Sequence, residues 1–375
     1  LQEYDRLPFN NWTDLVDNRG DHERREDALG WLENRGVTPD ERGAMRFDDE
    51  YKHALAPVAI FVILKAAVGG TLGNGYERAD LPHERDGIGV LENGEDRRSG
   101  LPAVHLLRPA RGLAHATNVV GLDGTPTPEM WELATGRELD HETVLEGRRA
   151  EYLEVALGYR IIQTSDYTKP YNNDDHVHTV RDAGLLEAIT KHHGEKPGVI
   201  TTSTARRVWD DADVIDYDHE DDLVTAGPVS GVRIHGNVLG SNQFATKRLG
   251  ALVGGNHYGD GFVKRWGAYA GKAVTRESNP TASPDETPLS YGDFGDQVLQ
   301  HMREHDTLQA LMRFGRDGGG AVVYVDTDTL PDWVPVYDHG DVTPAADGMI
   351  GVLRALDDLR RPGPDDLVDH EAVDV

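Results

Sequence analysis

Residues 180–203, VRDAGLLEAITKHHGEKPGVITTS, decide the fold class. The first fourteen place apolar residues at helical spacing among charges, so 180–193 reads as an amphipathic helix. GVITTS after it is a short apolar run that reads as a strand. The same alternation continues on both sides. A helix over 148–157 precedes the strand YRIIQTS (159–165), and GVRIHG (231–236) and RLGALVGG (248–255) read as further strands. Helical stretches at 260–270 and 295–314 then lead to a last strand, AVVYVDT (321–327). Strands separated by helices of this length predict a mostly parallel α/β sheet covered on both faces.

Upstream the pattern differs. Asp21 to Asn34 carries Leu29, Trp31 and Leu32 among charges, and Glu50 to Val68 contains the longest apolar run, Ala54 to Leu64. That run is broken by Pro57 and followed by Lys65, so it is too short to span a bilayer and reads as a buried helix. GYERADLPHERDGIGVLENGEDRRSG (75–100) has no sustained period and is expected to be a polar loop. AVHLLRP (103–109) and NVVGLDG (118–124) read as strands. Thr127 is suited to an N-cap, with Pro128 at the first position of the helix PEMWELATG.

Composition excludes several functions. The 375 residues contain no Cys, which removes disulfides, thiolate zinc sites, iron–sulfur clusters and cysteine nucleophiles. Acidic residues outnumber basic ones 66 to 38, giving a net charge of −28, and the basic residues are 30 Arg and only 8 Lys. The carboxylates are spread along the whole chain, whereas a binding tail would concentrate them. This texture is expected of a protein adapted to molar salt. At about 1 M salt the Debye length is near 3 Å, so like-charge repulsion on the surface is screened. A nucleic-acid site then needs no basic patch, because that argument assumes moderate salt. The polar opening LQEYDRLPFNNWTD carries no leader, so a cytoplasmic protein without a membrane segment is expected, and the missing initiator Met points to a fragment.

The most informative chemistry lies in QALMRFGR (309–316). Gln309, Arg313 and Arg316 stand at offsets 0, 4 and 7, so two guanidinium groups converge at one helix end. Arginine suits an anion there because its planar fork donates bidentately to phosphate oxygens and stays charged.

This segment, continued by the Gly-rich turn and strand GRDGGGAVVYVDT, resembles the sixth motif of superfamily 2 helicases. Residues 119–127, VVGLDGTPT, resemble the third motif; 196–204, KPGVITTST, the fourth; and the stretch from 237 to about 254, NVLGSNQFATKRLGALVGG, the fifth. The fragments LRPARGLAHATNVVGLDGTPTPEMW and GSNQFATKRLGALVGGNHYGD also look like helicase-like proteins of halophilic archaea. The resemblance covers roughly residues 103–335 and implies RecA-like domains. It implies that Gln309, Arg313 and Arg316 reach ATP across a cleft as catalytic and nucleotide-binding groups, and that Asp123, Gly124 and Thr125 couple nucleotide state to domain closure. Thr201, Thr202, Ser241 and Asn242, with Gly240 beside them, would contact single-stranded or duplex DNA.

The departures shape the expectation. Superfamily 2 helicases also need GxxxxGK[ST] and an acidic motif holding Mg²⁺. The single GK pair, Gly271 and Lys272, is followed by Ala273, with Trp266 where the first Gly belongs, and Asp48, Asp49 and Glu50 follow the polar run AMRF. The resulting organisation is a helical accessory region over 1–102, the last part of a first RecA-like domain over 103–140, a connector over 141–179, a second RecA-like domain over 180–345, and an acidic tail over 346–375. ATP with Mg²⁺ would be bound only with a first domain supplied by a separate chain, and the chain would be inactive alone. Two alternatives stand beside this one. The first is a catalytically inactive RecA-like adaptor or nucleic-acid-binding protein. The second is a metal-dependent hydrolase using Asp174, Asp175, His176, His178 and Asp182, or His301 and His305.

Overall fold

The computed structural model describes residues 7–34, 56–81, 87–94, 102–110, 113, 116–168, 171–238, 241–277 and 290–338. In chain order these hold helices α1 (Trp12–Asp17), α2 (His22–Asn34) and α3 (Ala56–Ala66), strands β1 (Tyr76–Asp80), β2 (Ile88–Glu92) and β3 (Ala103–Leu107), and helices α4 (Pro128–Thr135) and α5 (Arg149–Glu151). Then come β4 (Tyr159–Gln163), α6 (Thr179–His193), β5 (Gly198–Thr201), α7 (Ser203–Asp211), β6 (Asp216–Asp218), β7 (Leu223–Ala226), β8 (Gly231–Ile234) and β9 (Leu249–Val253). Last are α8 (Asp260–Tyr269), α9 (Gly292–Gln300), α10 (Asp306–Leu311), β10 (Ala321–Asp326) and β11 (Tyr337–Asp338). Among the described residues no helix is long and apolar enough to cross a membrane.

The chain divides into two compact units, residues 1–142 with 258–299, and 143–257 with 300–375. In the first, the apolar α3 is the hub. Its Ile60, Val62 and Leu64 are fully enclosed, packed with Leu15, Leu32 and Leu91. Helix α3 lies so close to the sheet that a Cβ on Gly89 would stand 2.4 Å from Val62 Cγ2, so only glycine fits there. Strands β1, β2 and β3 form an antiparallel sheet in that order.

That sheet corrects two expectations. The stretch read as a polar loop supplies β1 and β2, because Glu77 is buried against Arg19 at 2.5 Å and Glu92 against His105 at 2.7 Å. Paired charges inside the unit hide the strand pattern. The strand at 103–107, expected to end a parallel domain, is instead the edge of this antiparallel sheet. Residues 118–122 form no strand, and Val120 and Leu122 are 81% and 91% exposed. The helix after Thr127 is present, although the Thr127 side chain makes no capping bond. Residues 258–277 and 290–299, expected in the second RecA-like domain, belong to the first unit.

The second unit holds the predicted sheet. Its six strands run in the order β11, β4, β10, β9, β5, β8, and every pair is parallel. Val199, Ala251, Val253 and Tyr324 face α6 and α7 on one side. Ile161, Ile200, Leu252, Val323 and Val325 face α10 on the other. A parallel sheet covered on both faces needs apolar residues at every strand position, and β5 and β9 are buried throughout. The chain is thus α/β, with a six-stranded parallel sheet flanked by helices and a helical region before it.

The helical stretch predicted at 295–314 is two α-helices joined by a π-helical turn at His301–His305. Helix α7, the β6–β7 hairpin and the two-residue β11 are additions that periodicity does not reveal. Residues 48–50, Gly240 and the tail over 346–375 lie outside the described residues.

Candidate functional site

The predicted site residues fall into separate places. Asp123, Gly124 and Thr125 lie in the first unit, in a turn that enters α4. The Asp123 carboxylate accepts from the Thr125 amide at 2.9 Å and from the Trp131 indole at 3.0 Å, so both its oxygens hold the turn together. The other residues lie in the second unit.

Thr201 ends β5 fully buried, and its hydroxyl donates to the Val253 carbonyl at 2.7 Å, tying two strands together. Thr202 is the N-cap of α7: its oxygen accepts from the Ala205 amide at 3.0 Å while its proton goes to the Tyr171 carbonyl. Both hydroxyls are therefore engaged within the fold. Ser241 and Asn242 occupy the connection from β8 to β9. Ser241 Oγ accepts from the Gln243 amide at 3.3 Å, and Asn242 is exposed.

Gln309 sits on α10, and Arg313 and Arg316 follow in the turn between α10 and β10. Since β10 starts at Ala321 and β4 at Tyr159, this turn lies at the amino edge of the parallel sheet. Thr201 and Thr202 lie at its carboxyl edge. Strands of this length rise about 13–20 Å, so the arginines and the threonines cannot grip the same phosphate.

The turn is locked on every side. Phe314 is fully buried, stacks on Phe244 with centroids 5.1 Å apart, and lies where a Cβ on Gly250 would come within 2.7 Å. The Gly315 amide donates to Lys247 O at 3.0 Å. Gly315 and Gly320 adopt φ of +62° and +65°, and a Cβ on either would stand 2.2 Å from a backbone oxygen, so both positions require glycine. Arg248 holds Asp317 through two bonds of 2.6 and 2.7 Å. That pairing keeps the Asp317 carboxyl below its ordinary range and removes it as a counterion for the neighbouring arginines.

Arg313 and Arg316 are left without a carboxylate among the described residues, and Arg313 Nε is enclosed with no hydrogen-bond partner. Burial, and after it the nearby Arg316 charge, holds the Arg313 guanidinium below its usual value. A buried donor without a partner is costly, and two unopposed cations repel. A locked turn that presents both together can receive a multiply charged anion.

No family model, curated protein or solved structure matches this chain.

At the carboxyl edge the sequence reading missed a buried polar network. Arg181 grips Asp326 at 2.6 and 2.5 Å, and Thr164 donates to the same carboxylate at 3.0 Å. The adjacent Asp182 is wholly buried and accepts from Tyr171 at 2.9 Å and Trp209 at 3.0 Å. Burial, reinforced by the Asp326 charge and only partly offset by these donors and by Arg181, pushes the Asp182 carboxyl up to about 7. The signal lay in an acidic residue on the apolar face of the helix over 180–193.

For the metal alternative, Asp174 pairs with Arg207 and His178 meets the Tyr167 hydroxyl at 3.2 Å. Rings of His301 and His305 are 5.8 Å apart. Among the described residues no group of three or more His, Asp or Glu stands together as a metal site.

Proposed function

We propose that this chain is the C-terminal portion of an ATP-dependent superfamily 2 DNA helicase or translocase of a halophile, with the unit of residues 143–257 and 300–338 as its second RecA-like domain. The observation that carries this reading is the unopposed Arg313–Arg316 pair on its locked turn, one helix turn beyond Gln309. A parallel α/β sheet with helices on both faces and the ordered resemblance to motifs three to six support it.

Arg313, with its unpaired Nε–H, fits the phosphates of ATP. The described residues offer no carboxylate cluster for Mg²⁺, so the metal would be held by groups of a first domain. In this role Arg313 and Arg316 bind phosphate oxygens and stabilise charge that develops on a transferring phosphoryl group. Gln309 orients the nucleotide from the end of α10. Ser241 and Asn242 contact the sugar–phosphate backbone, while Thr201 and Thr202 shape the carboxyl edge from which a strand would be approached. Such contacts carry no sequence information, as a motor requires.

A second reading, an inactive RecA-like adaptor that binds anions without turnover, is favoured by the absence of a GxxxxGK[ST] loop from the sequence. The experiment that separates them measures binding of a labelled single-stranded oligonucleotide with and without Mg·ATP, alone and after adding a chain that carries the first-domain motifs. ATP-dependent change in affinity supports the helicase reading. Affinity indifferent to ATP in every mixture would contradict it.

A further inference from the structure

Tyr159 opens β4 and is buried, 4% exposed. Its hydroxyl reaches the carbonyls of Met312 at 3.2 Å and Phe314 at 2.5 Å. Those two residues flank Arg313. Met312 is the C-cap of α10, where the last carbonyls have no intrahelical donor and need one from elsewhere, and Phe314 follows in the turn. Burial and the Asp317 charge outweigh the nearby Arg316 and Arg248 charges and raise the Tyr159 hydroxyl above its ordinary value, so it stays a donor.

We infer that Tyr159 is a positioning residue for the arginine pair: by sharing its one proton between the carbonyls of Met312 and Phe314, the residues on either side of Arg313, its hydroxyl fixes where that guanidinium points despite repulsion from Arg316. This rests on the phosphate reading of the pair given above. The other anchors act elsewhere in the turn. Phe314 fixes its depth through the slot beside Gly250, and Arg248 with Asp317 closes its far end. The Tyr159 bonds straddle the arginine itself. A single hydroxyl thus couples the first residue of β4 to the direction of a cation more than 150 residues later in the chain.

The test uses the full chain and inorganic pyrophosphate, titrated calorimetrically at fixed salt, together with the Nε–H signal of Arg313 in ¹⁵N-labelled protein, identified by its loss in Arg313→Lys. Tyr159→Phe keeps the ring and removes only the donor. It is expected to weaken pyrophosphate binding about fivefold, the factor that corresponds to one hydrogen bond of about 1 kcal/mol, and to shift the Arg313 signal. Tyr324→Phe removes another hydroxyl of the same sheet, bonded to His193 at 2.8 Å, and is expected to leave both readouts in place. A fivefold loss in Tyr324→Phe too would show that any loosening suffices and would overturn the role of the Tyr159 hydroxyl. Wild-type affinity and an unmoved signal in Tyr159→Phe would overturn the positioning role alone. Wild-type protein that binds no pyrophosphate, or binds it unchanged after Arg313→Lys with Arg316→Lys, would overturn the phosphate reading and this inference together.

Discussion

The Asp182 carboxylate accepts a hydrogen bond from the Trp209 indole at 3.0 Å, with both side chains closed off from solvent in the core between the parallel sheet and its helices. Burial dominates there, so the folded protein holds a proton on Asp182 up to about pH 7, whereas an unfolded chain releases it near 3.9. A raised carboxyl pKa means the native state binds more protons. Stability is therefore expected to fall as pH rises from about 4 to about 7, and to level off above that. Asp182→Asn should flatten this slope in urea unfolding curves taken across the range. Asp182→Ala, which strands the indole N–H and the Tyr171 hydroxyl, should cost about 2 kcal/mol or more. A slope unchanged in the Asn variant would contradict this assignment.

Gly250 faces the Phe314 ring so closely that no Cβ fits. Gly250→Ala is expected to cost about 1–3 kcal/mol by overpacking. Denaturant midpoints measure this, and Phe314→Leu in the same chain should recover part of the loss by opening the slot. A Gly250→Ala protein as stable as wild type would show that the slot is loose.

The two threonines of the fourth-motif region and the residues of the fifth should separate cleanly. Thr201→Val removes a buried bond between β5 and β9 and should lower stability by about 1 kcal/mol without changing affinity for single-stranded DNA. Thr202→Ala removes an N-cap and should cost about 1 kcal/mol. Asn242→Ala, on an exposed side chain, should leave stability unchanged and weaken DNA binding severalfold. The opposite pattern in fluorescence anisotropy titrations would move the contact to the carboxyl edge.

The net charge of −28 yields a fourth expectation. Repulsion among dispersed carboxylates is screened as salt rises, so the unfolding midpoint should climb between 0.1 and 2 M KCl. A midpoint that is flat or falling over that range would remove the salt-adaptation reading.

The parallel sheet was legible because both its faces are covered: GVIT and LGALV are apolar at every position and can be little else. The β1–β2 pair was not, because Glu77 and Glu92 sit inside it with charged partners found at Arg19 and His105, far away or on another strand. VVGL over 119–122 misled for the converse reason, since an apolar run can stand in solvent. At the site, the spacing of Gln309, Arg313 and Arg316 was visible, and so was the glycine run after them. What locks the turn was not: Tyr159, Phe244 and Gly250 reach it from other strands and loops, and local sequence carries no trace of those contacts.

The proposed function rests on Arg313 and Arg316 together forming a phosphate site. Calorimetric titration of the full chain with inorganic pyrophosphate, at fixed salt and without Mg²⁺, checks this, with Arg313→Ala, Arg316→Ala and the double variant beside wild type. Wild type is expected to bind saturably, each single variant about tenfold more weakly, and the double variant not detectably. Binding that survives unchanged in the double variant, or no binding by wild type, would contradict it.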